Sequence, residues 1–292
     1  MDEQYDFRLQ KLIGIVIFSM IIVTGVYIGD KYLRKSTVVF CDVGQGDSAY
    51  IRTQSGEDIM VDFGPDKSVL NCIGRYMPFY DNEIDLAFIS HFDMDHYGGI
   101  VNVLSRYKIK QLIYPECADK KCQELLNSLK SKKIPYSSLN LIKTPEFTLI
   151  PMEMGDRGSA SGKNNDSEVF RLEIGKMSVL FTGDANLSVS SGPSERSDYL
   201  IDVLKVPHHG SRYNLNSTFL ELAEPRVSVI SAGKNNQYGH PHKETISMLK
   251  ALKQKYLRTD QEGDVVIELL GESFQVKTQK SGDKYSFKYL NR

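Results

Sequence analysis

Histidine and aspartate crowd one short stretch of this chain, Ser90-His91-Phe92-Asp93-Met94-Asp95-His96-Tyr97-Gly98-Gly99. His91, Asp93, Asp95 and His96 put four metal-capable side chains within six residues. Imidazole nitrogen and carboxylate oxygen together suit one or two divalent cations. The stretch follows the apolar run Ile84-Asp85-Leu86-Ala87-Phe88-Ile89, which reads as a buried strand. Gly98-Gly99 with Ile100, Val101, Val103 and Leu104 read as a helix entry. A strand end that fans out four such side chains has no packing reason to be so polar. All six histidines, His91, His96, His208, His209, His240 and His242, fall in three tight clusters, each after a strand.

Further segments follow in order: Asp42-Val43-Gly44-Gln45-Gly46-Asp47-Ser48, Thr182-Gly183-Asp184, Lys205-Val206-Pro207-His208-His209-Gly210-Ser211 and Tyr238-Gly239-His240-Pro241. With His-x-Asp-x-Asp-His they resemble the metallo-β-lactamase superfamily, whose usual form is His-x-His-x-Asp-His. Asp93 stands where the second histidine usually stands. That variant is similar to the one in the extracytoplasmic metallo-β-lactamase-like domain of ComEC-type competence proteins. The resemblance covers about residues 36 to 270.

The resemblance implies a four-layer αββα sandwich and a site for two divalent metal ions. His91 and Asp93 would hold one ion, Asp95 and His96 the other, and Asp184 would bridge them. By order the last ligand is His208 or His240. His240 is the preferred ligand, which leaves His208 or His209 beside the scissile group as catalytic residues with Asp95. The family's further histidine on the first metal is missing, and Asn164, Asn165 or Asp166 stand in that region. The oxygen-rich set shifts the expected metal from Zn²⁺ toward Mn²⁺ or a mixed site.

Two cations at such a site lower the pKa of a bound water and clamp the attacked group, so hydroxide attacks phosphorus or a carbonyl carbon. Neutralising a phosphodiester anion suits a cation pair. The expected activity is therefore a metal-dependent phosphodiesterase or nuclease, with DNA favoured by the competence-protein resemblance. Asp47 and Ser48 are candidates for positioning substrate or ligands, or for capping a tight turn. Lys205, Ser211 and Asn235 are candidate phosphate contacts. One alternative is hydrolysis of a small phosphoester such as phosphorylcholine. Another is a non-catalytic partner of a DNA-uptake system. A β-lactam substrate is disfavoured by Asp93.

The elements that must position these residues are legible as alternation. Thr37–Val43, Ala49–Arg52 and Asp58–Asp62 read as strands, Val69–Met77 as a helix. A helix over about 99–106, a strand at 111–114 and a helix over about 119–131 follow. Strands are expected at 147–151, 169–174, 178–181, 203–206 and 227–230, and helices near 216–223 and 242–254. A closing β segment begins at Val265. Gly155 to Asn165 and Ser188 to Ser197 are polar loops. The pattern alone gives two sheets with helices outside.

With 292 residues and 41% hydrophobic content, one large domain with a real core is expected. The net charge of −1 gives no global nucleic-acid footprint. The basic run Lys120-Lys121, Lys130, Lys132-Lys133 reads as a solvated helix face. Leu12 to Gly29 is apolar except for Ser19 and Thr24, eighteen residues that just reach the length of a bilayer span. No small-x-small cleavage site follows it, so an uncleaved anchor over residues 1–35 is expected before a hydrolase domain over 36–292. A cleaved signal and secretion are the alternative. Arg8 and Lys11 precede the span while Lys31, Arg34 and Lys35 follow it. Charge therefore leans against an outside domain, and the family resemblance favours a single-pass membrane protein with the hydrolase outside. One span is too few for a complete uptake channel. Four cysteines, Cys41, Cys72, Cys117 and Cys122, allow disulfides in an oxidising compartment. Cys117 and Cys122 are close enough to close a small loop, and Cys41 reads as a reduced core thiol.

Overall fold

The computed structural model describes residues 2–116, 120–152, 167–187 and 199–290. Asp2–Leu33 is a single helix. Within Arg8–Leu33 an 18-residue apolar stretch has a mean hydropathy of 2.5, and none of that stretch is buried.

Among the described residues two large sheets follow. The first has nine strands in the order Lys284–Lys288, Ser273–Thr278, Val265–Leu270, Thr37–Phe40, Ser48–Arg52, Asp58–Phe63, Leu86–Phe88, Leu112–Ile113 and Tyr136–Ser137. The second has seven, ordered Tyr256–Arg258, Val227–Ile230, Val203–Lys205, Met177–Phe181, Phe170–Ile174, Phe147–Pro151 and Ile142–Lys143.

Alternating side chains of both sheets meet in one apolar layer. Phe40, Ile51, Val61 and Phe88 come from the first sheet, and Phe170, Leu172, Val179 and Phe181 from the second. Burying each such side chain stabilises the fold by about 1.5–3 kcal/mol before the entropy of ordering it. The opposite faces are covered by helices. Val69–Tyr76 buries Val69, Cys72 and Ile73 at i, i+3 and i+4 against Tyr50, Met60 and Ile89. Ser217–Ala223 is capped by Asn216, whose side chain accepts from Phe219 N, and it packs Phe219, Leu220 and Ala223 on the second sheet. Lys243–Ala251 adds Leu249 there. This is the four-layer αββα arrangement.

The expected helix over 99–106 is shorter, Ile100–Val103, and a separate helical turn, Met94–Tyr97, precedes it. Asp95 and His96 therefore sit on helix rather than on loop. The break falls at Gly98-Gly99, where a Cβ on Gly99 would come within 2.1 Å of the Phe63 carbonyl oxygen.

The cysteine reading needs correction. Cys41 is not a reduced core thiol but is bonded to Cys72, 31 residues away, with Cα atoms 5.8 Å apart. This bridge ties a residue just after Thr37–Phe40 to the helix covering the same sheet. The 117–122 pair that the spacing allows involves Cys117, which lies outside the described residues. The loops over 155–165 and 188–197 lie outside them as well.

Candidate metal centre

The site lies at the end of the sandwich where Leu86–Phe88, Met177–Phe181, Val203–Lys205 and Val227–Ile230 finish. Each strand is followed by a polar turn. The turns carry Ser90 to His96, Thr182 to Asp184, Pro207 to Gly210, and Ser231. The Asp42–Ser48 loop is drawn against them by Gly46, at φ +142, where a Cβ would meet the Asp95 carbonyl oxygen at 2.2 Å. Only a glycine fits that approach. Asp47 N then donates to Asp95 O at 3.0 Å.

Asp184 is the centre of the arrangement. Its Oδ2 lies 3.8 Å from His91 Nε2 and 3.5 Å from His208 Nε2. Its Oδ1 lies 3.4 Å from His96 Nε2 and 3.7 Å from His209 Nε2. His209 Nε2 is also 3.1 Å from Asp95 Oδ2. Two groups of side chains therefore face the two oxygens of one carboxylate. His91, His96 and Asp184 form one set of atoms close enough to share a cation, and Asp95, His96 and His209 form another.

The second nitrogen of each ring is held from behind. His96 Nδ1 meets Asp62 Oδ2 at 2.8 Å, and Asp62 also accepts from Ser90 N at 2.8 Å and Ser90 Oγ at 2.7 Å. His209 Nδ1 meets the Ser231 carbonyl at 3.0 Å. His208 Nδ1 meets Asn214 Oδ1 at 3.2 Å. A ring whose Nδ1–H is engaged in this way presents Nε2 as a lone-pair donor. His91 Nε2, His96 Nε2 and Asp184 Oδ1 are buried without a hydrogen-bond partner among the described residues. Buried orphans of this kind are costly, and their convergence fits a divalent cation.

Local backbone explains these directions. Asp62 sits at φ +56 in the strand Asp58–Phe63, opposite a register shift between Ser48 and Ala49. It is the extra residue of a β-bulge, which re-aims a side chain. His208 and His209 both have left-handed backbone, φ 47 and 52. That turn lets two adjacent histidines serve the same centre.

Charge follows geometry. Burial opposes ionisation of Asp184, yet His209 and His96 hold it well below the usual carboxylate range. Burial likewise opposes protonation of His96, but Asp184, Asp62 and Asp47 raise it well above an ordinary histidine. His209 is raised to about 9 against burial, by Asp184 and Asp47. Burial works against Asp95 too, and His209 and His96 lower it. His91 beside Asp93 lowers that carboxyl. His240 goes the other way: burial, then the charge of His209 and His208, push it down to about 4.

The remaining predicted residues divide clearly. Asp93 reaches His91 Nε2 at 3.6 Å with its side chain 54% exposed. His240 is outside the converging groups; its ring is 5.3 Å from that of His208 and 6.1 Å from that of His209. His208 and His209 thus lie against Asp184, at 3.5 and 3.7 Å, and His240 borders them at ring-contact distance. Lys205 is buried against Asp47 at 2.5 Å rather than offered to solvent. Asp47 also approaches His209 Nδ1 at 3.2 Å. Ser48 is buried and donates to the Asp62 carbonyl; Ser211 is buried in the turn after His209. Asn235 is exposed, at φ 56, in the loop leading to His240. Asn164, Asn165 and Asp166 lie outside the described residues. Sequence reasoning missed the roles of Ser90, Asn214 and Ser231, which carry no signal beyond nearness to a motif. It noted Asp62 at a strand end without its histidine.

The chain belongs to the metallo-beta-lactamase superfamily, whose family profile matches residues 41–234. Among curated proteins it is 30% identical over 253 residues to ComE operon protein 3 of Bacillus subtilis, covering 77% of this chain and 32% of that protein. It is 28% identical over 262 residues to Recombination protein 2 of Haemophilus influenzae, covering 88% and 32%. The chain thus spans about a third of the length of these relatives. Among solved structures, a long form RNase Z from yeast aligns with a TM-score of 0.49 at 11% identity, covering 80% of this chain and 42% of that one.

Proposed function

We propose that this superfamily hydrolase is a metal-dependent phosphodiesterase that acts on DNA. The observation that carries the reading is Asp184, with orphaned histidine nitrogens gathered around its two oxygens. His91, Asp93 and His208 with Asp184 would hold one cation. Asp95, His96 and His209 with Asp184 would hold the other, leaving the final ligand role to His209 in place of His240. Zn²⁺ or Mn²⁺ fits this mixed nitrogen and oxygen set. When bound, such a pair supplies an activated water and charge neutralisation at a phosphoryl group.

The chain's own residues do the rest. Asp62 and Ser231 fix the ring orientations of His96 and His209. His240, kept neutral by burial and by the charge of His209 and His208, would accept or return a proton at the leaving oxygen. Tyr213 and Tyr238, 71% and 57% exposed, lie on the loops that carry His209 and His240. These loops are tied together by His242, which accepts from Arg212 N at 3.1 Å. Exposed rings beside a phosphodiester site offer stacking faces to nucleobases, which favours nucleic acid over a small phosphoester. Similarity to a protein named for a competence operon supports the same choice.

We also propose that residues 12–29 span the cell membrane and that the hydrolase domain lies outside the cytoplasm. The Cys41–Cys72 bridge supports an oxidising compartment. Arg34, which counted against this orientation, pairs with Asp30 and is a structural residue of the junction. The test is hydrolysis of bis(p-nitrophenyl) phosphate and of single- and double-stranded DNA by the detergent-solubilised chain with Mn²⁺, Zn²⁺ or Mg²⁺. Metal-dependent cleavage that disappears in Asp95→Ala is expected. Full activity in Asp95→Ala, or after exhaustive chelation, would sink the reading.

A further inference from the structure

Where the apolar helix meets the hydrolase domain, aromatic rings from both gather. Tyr27 of the helix packs edge-on against Tyr80, with ring centroids 5.4 Å apart, and Tyr80 packs against Phe79 at 5.5 Å. Phe79 and Tyr80 form the turn that follows Val69–Tyr76 and Pro78. Phe79 is 75% exposed, and so are Tyr32 at 75% and Leu33 at 80% on the end of the helix. A collar of large apolar side chains therefore surrounds the point where the helix leaves the domain.

The junction is held by polar contacts. The Tyr80 hydroxyl donates to the Asp30 carboxylate, Arg34 pairs with the same group, and Arg52 lies 3.8 Å from it. Arg34 also packs over Gly56, where a Cβ would come within 2.1 Å of its guanidinium. Heights can then be read along the helix. Tyr27 is three residues on the apolar side of Asp30, roughly 4–5 Å along the axis at 1.5 Å per residue. Its partner Tyr80, and Phe79 beside it, therefore stand level with the last turn of the apolar run. Exposed Lys31 and Lys35 stand just beyond.

We propose that the Phe79-Tyr80 turn, with Tyr27 and Tyr32, is an interfacial belt that docks the hydrolase domain onto the lipid surface its own helix crosses. The inference rests on the proposed span. Lipid is the fitting occupant because the exposed rings are continuous with the apolar helix and level with its end. Aromatic rings favour this depth, and lysines beside them can meet lipid phosphates. The domain would then present a fixed face to the membrane instead of swinging on a tether.

The chain contains no tryptophan, so a single introduced indole reports depth without background. Phe79→Trp and Ile17→Trp, each in the full chain, are reconstituted in phosphatidylcholine–phosphatidylglycerol nanodiscs carrying acyl chains brominated either near the headgroup or near the bilayer centre. Phe79→Trp is expected to emit at shorter wavelength than in water and to lose most of its intensity with the shallow label. Ile17→Trp is expected to be quenched by the deep one. Quenching of Ile17→Trp with water-like, unquenched emission from Phe79→Trp overturns the docking while the span stands. That outcome would leave the exposed rings to a protein partner. Quenching of neither overturns both.

Discussion

Asp47 and Lys205 meet carboxylate to ammonium at 2.5 Å, with side chains only 7% and 4% exposed. Lys205 is thus a resident cation beneath the ligand shell. Lys205→Met should strand the Asp47 charge and lower stability by roughly 3–5 kcal/mol, as loss of one partner from a buried pair does. Asp47→Asn combined with Lys205→Met should recover part of that loss. Urea unfolding of the wild type and these two variants decides it, and an unchanged midpoint in Lys205→Met would refute the role.

Asp62 holds His96 Nδ1 from behind and is itself held by Ser90. Asp62→Asn should keep the fold but loosen the ring and weaken metal binding by roughly 10–100-fold. Competition with a chromogenic chelator measures it. Wild-type affinity in this variant would show that the Asp62 contact at 2.8 Å is incidental.

The pH dependence follows from His209. Its pKa in the metal-free protein is raised to about 9, from an ordinary 6.5, because Asp184 and Asp47 outweigh burial. A raised histidine contributes stability that is complete below its unfolded value and fades as pH climbs through its folded one. Melting temperature in chelator should therefore fall between about pH 6.5 and about pH 9. Cation binding must displace the same proton, so apparent metal affinity should rise over that range with proton release. Titration calorimetry in buffers of different ionisation enthalpy detects the release, and heats independent of buffer would contradict the assignment.

The late histidines separate by metal content. His209→Ala should lose bound metal along with rate. His240→Ala should retain metal and lose roughly 10²–10⁴-fold in rate, the usual worth of a positioned acid or base. Metal analysis of the purified variants reads the difference. Loss of metal from His240→Ala alone would return it to the ligand position.

Much of this was legible in the residue order. The apolar run ending at Ile89 and the polar fan after it have one economical explanation, and the αββα layers follow from alternation and family resemblance. Depth was not legible. The sequence offers His208 or His240 as the last ligand, and it does not show that His208 and His209 turn through left-handed backbone and both face Asp184; Gly210 alone hints at it. The Cys41–Cys72 bridge was missed for a related reason. Local spacing drew attention to Cys117 and Cys122, while the true partner of Cys41 is set by a helix folding over a sheet. Lys205 read as a phosphate contact because sequence shows a charge and not the carboxylate buried beside it.

The order of the first sheet also governs how the protein is made. Thr37–Phe40 pairs with Val265–Leu270 on one side and Ser48–Arg52 on the other. Asp42 N in the site's own loop donates to Asp264 at 2.8 Å. A chain synthesised from its N-terminus therefore carries an open strand edge at Thr37–Phe40 until Val265–Leu270 has been made. The loop that presses on Asp95 gains its support only then. The strand edge is closed and the site's loop is braced by one and the same late segment, Asp264 to Leu270.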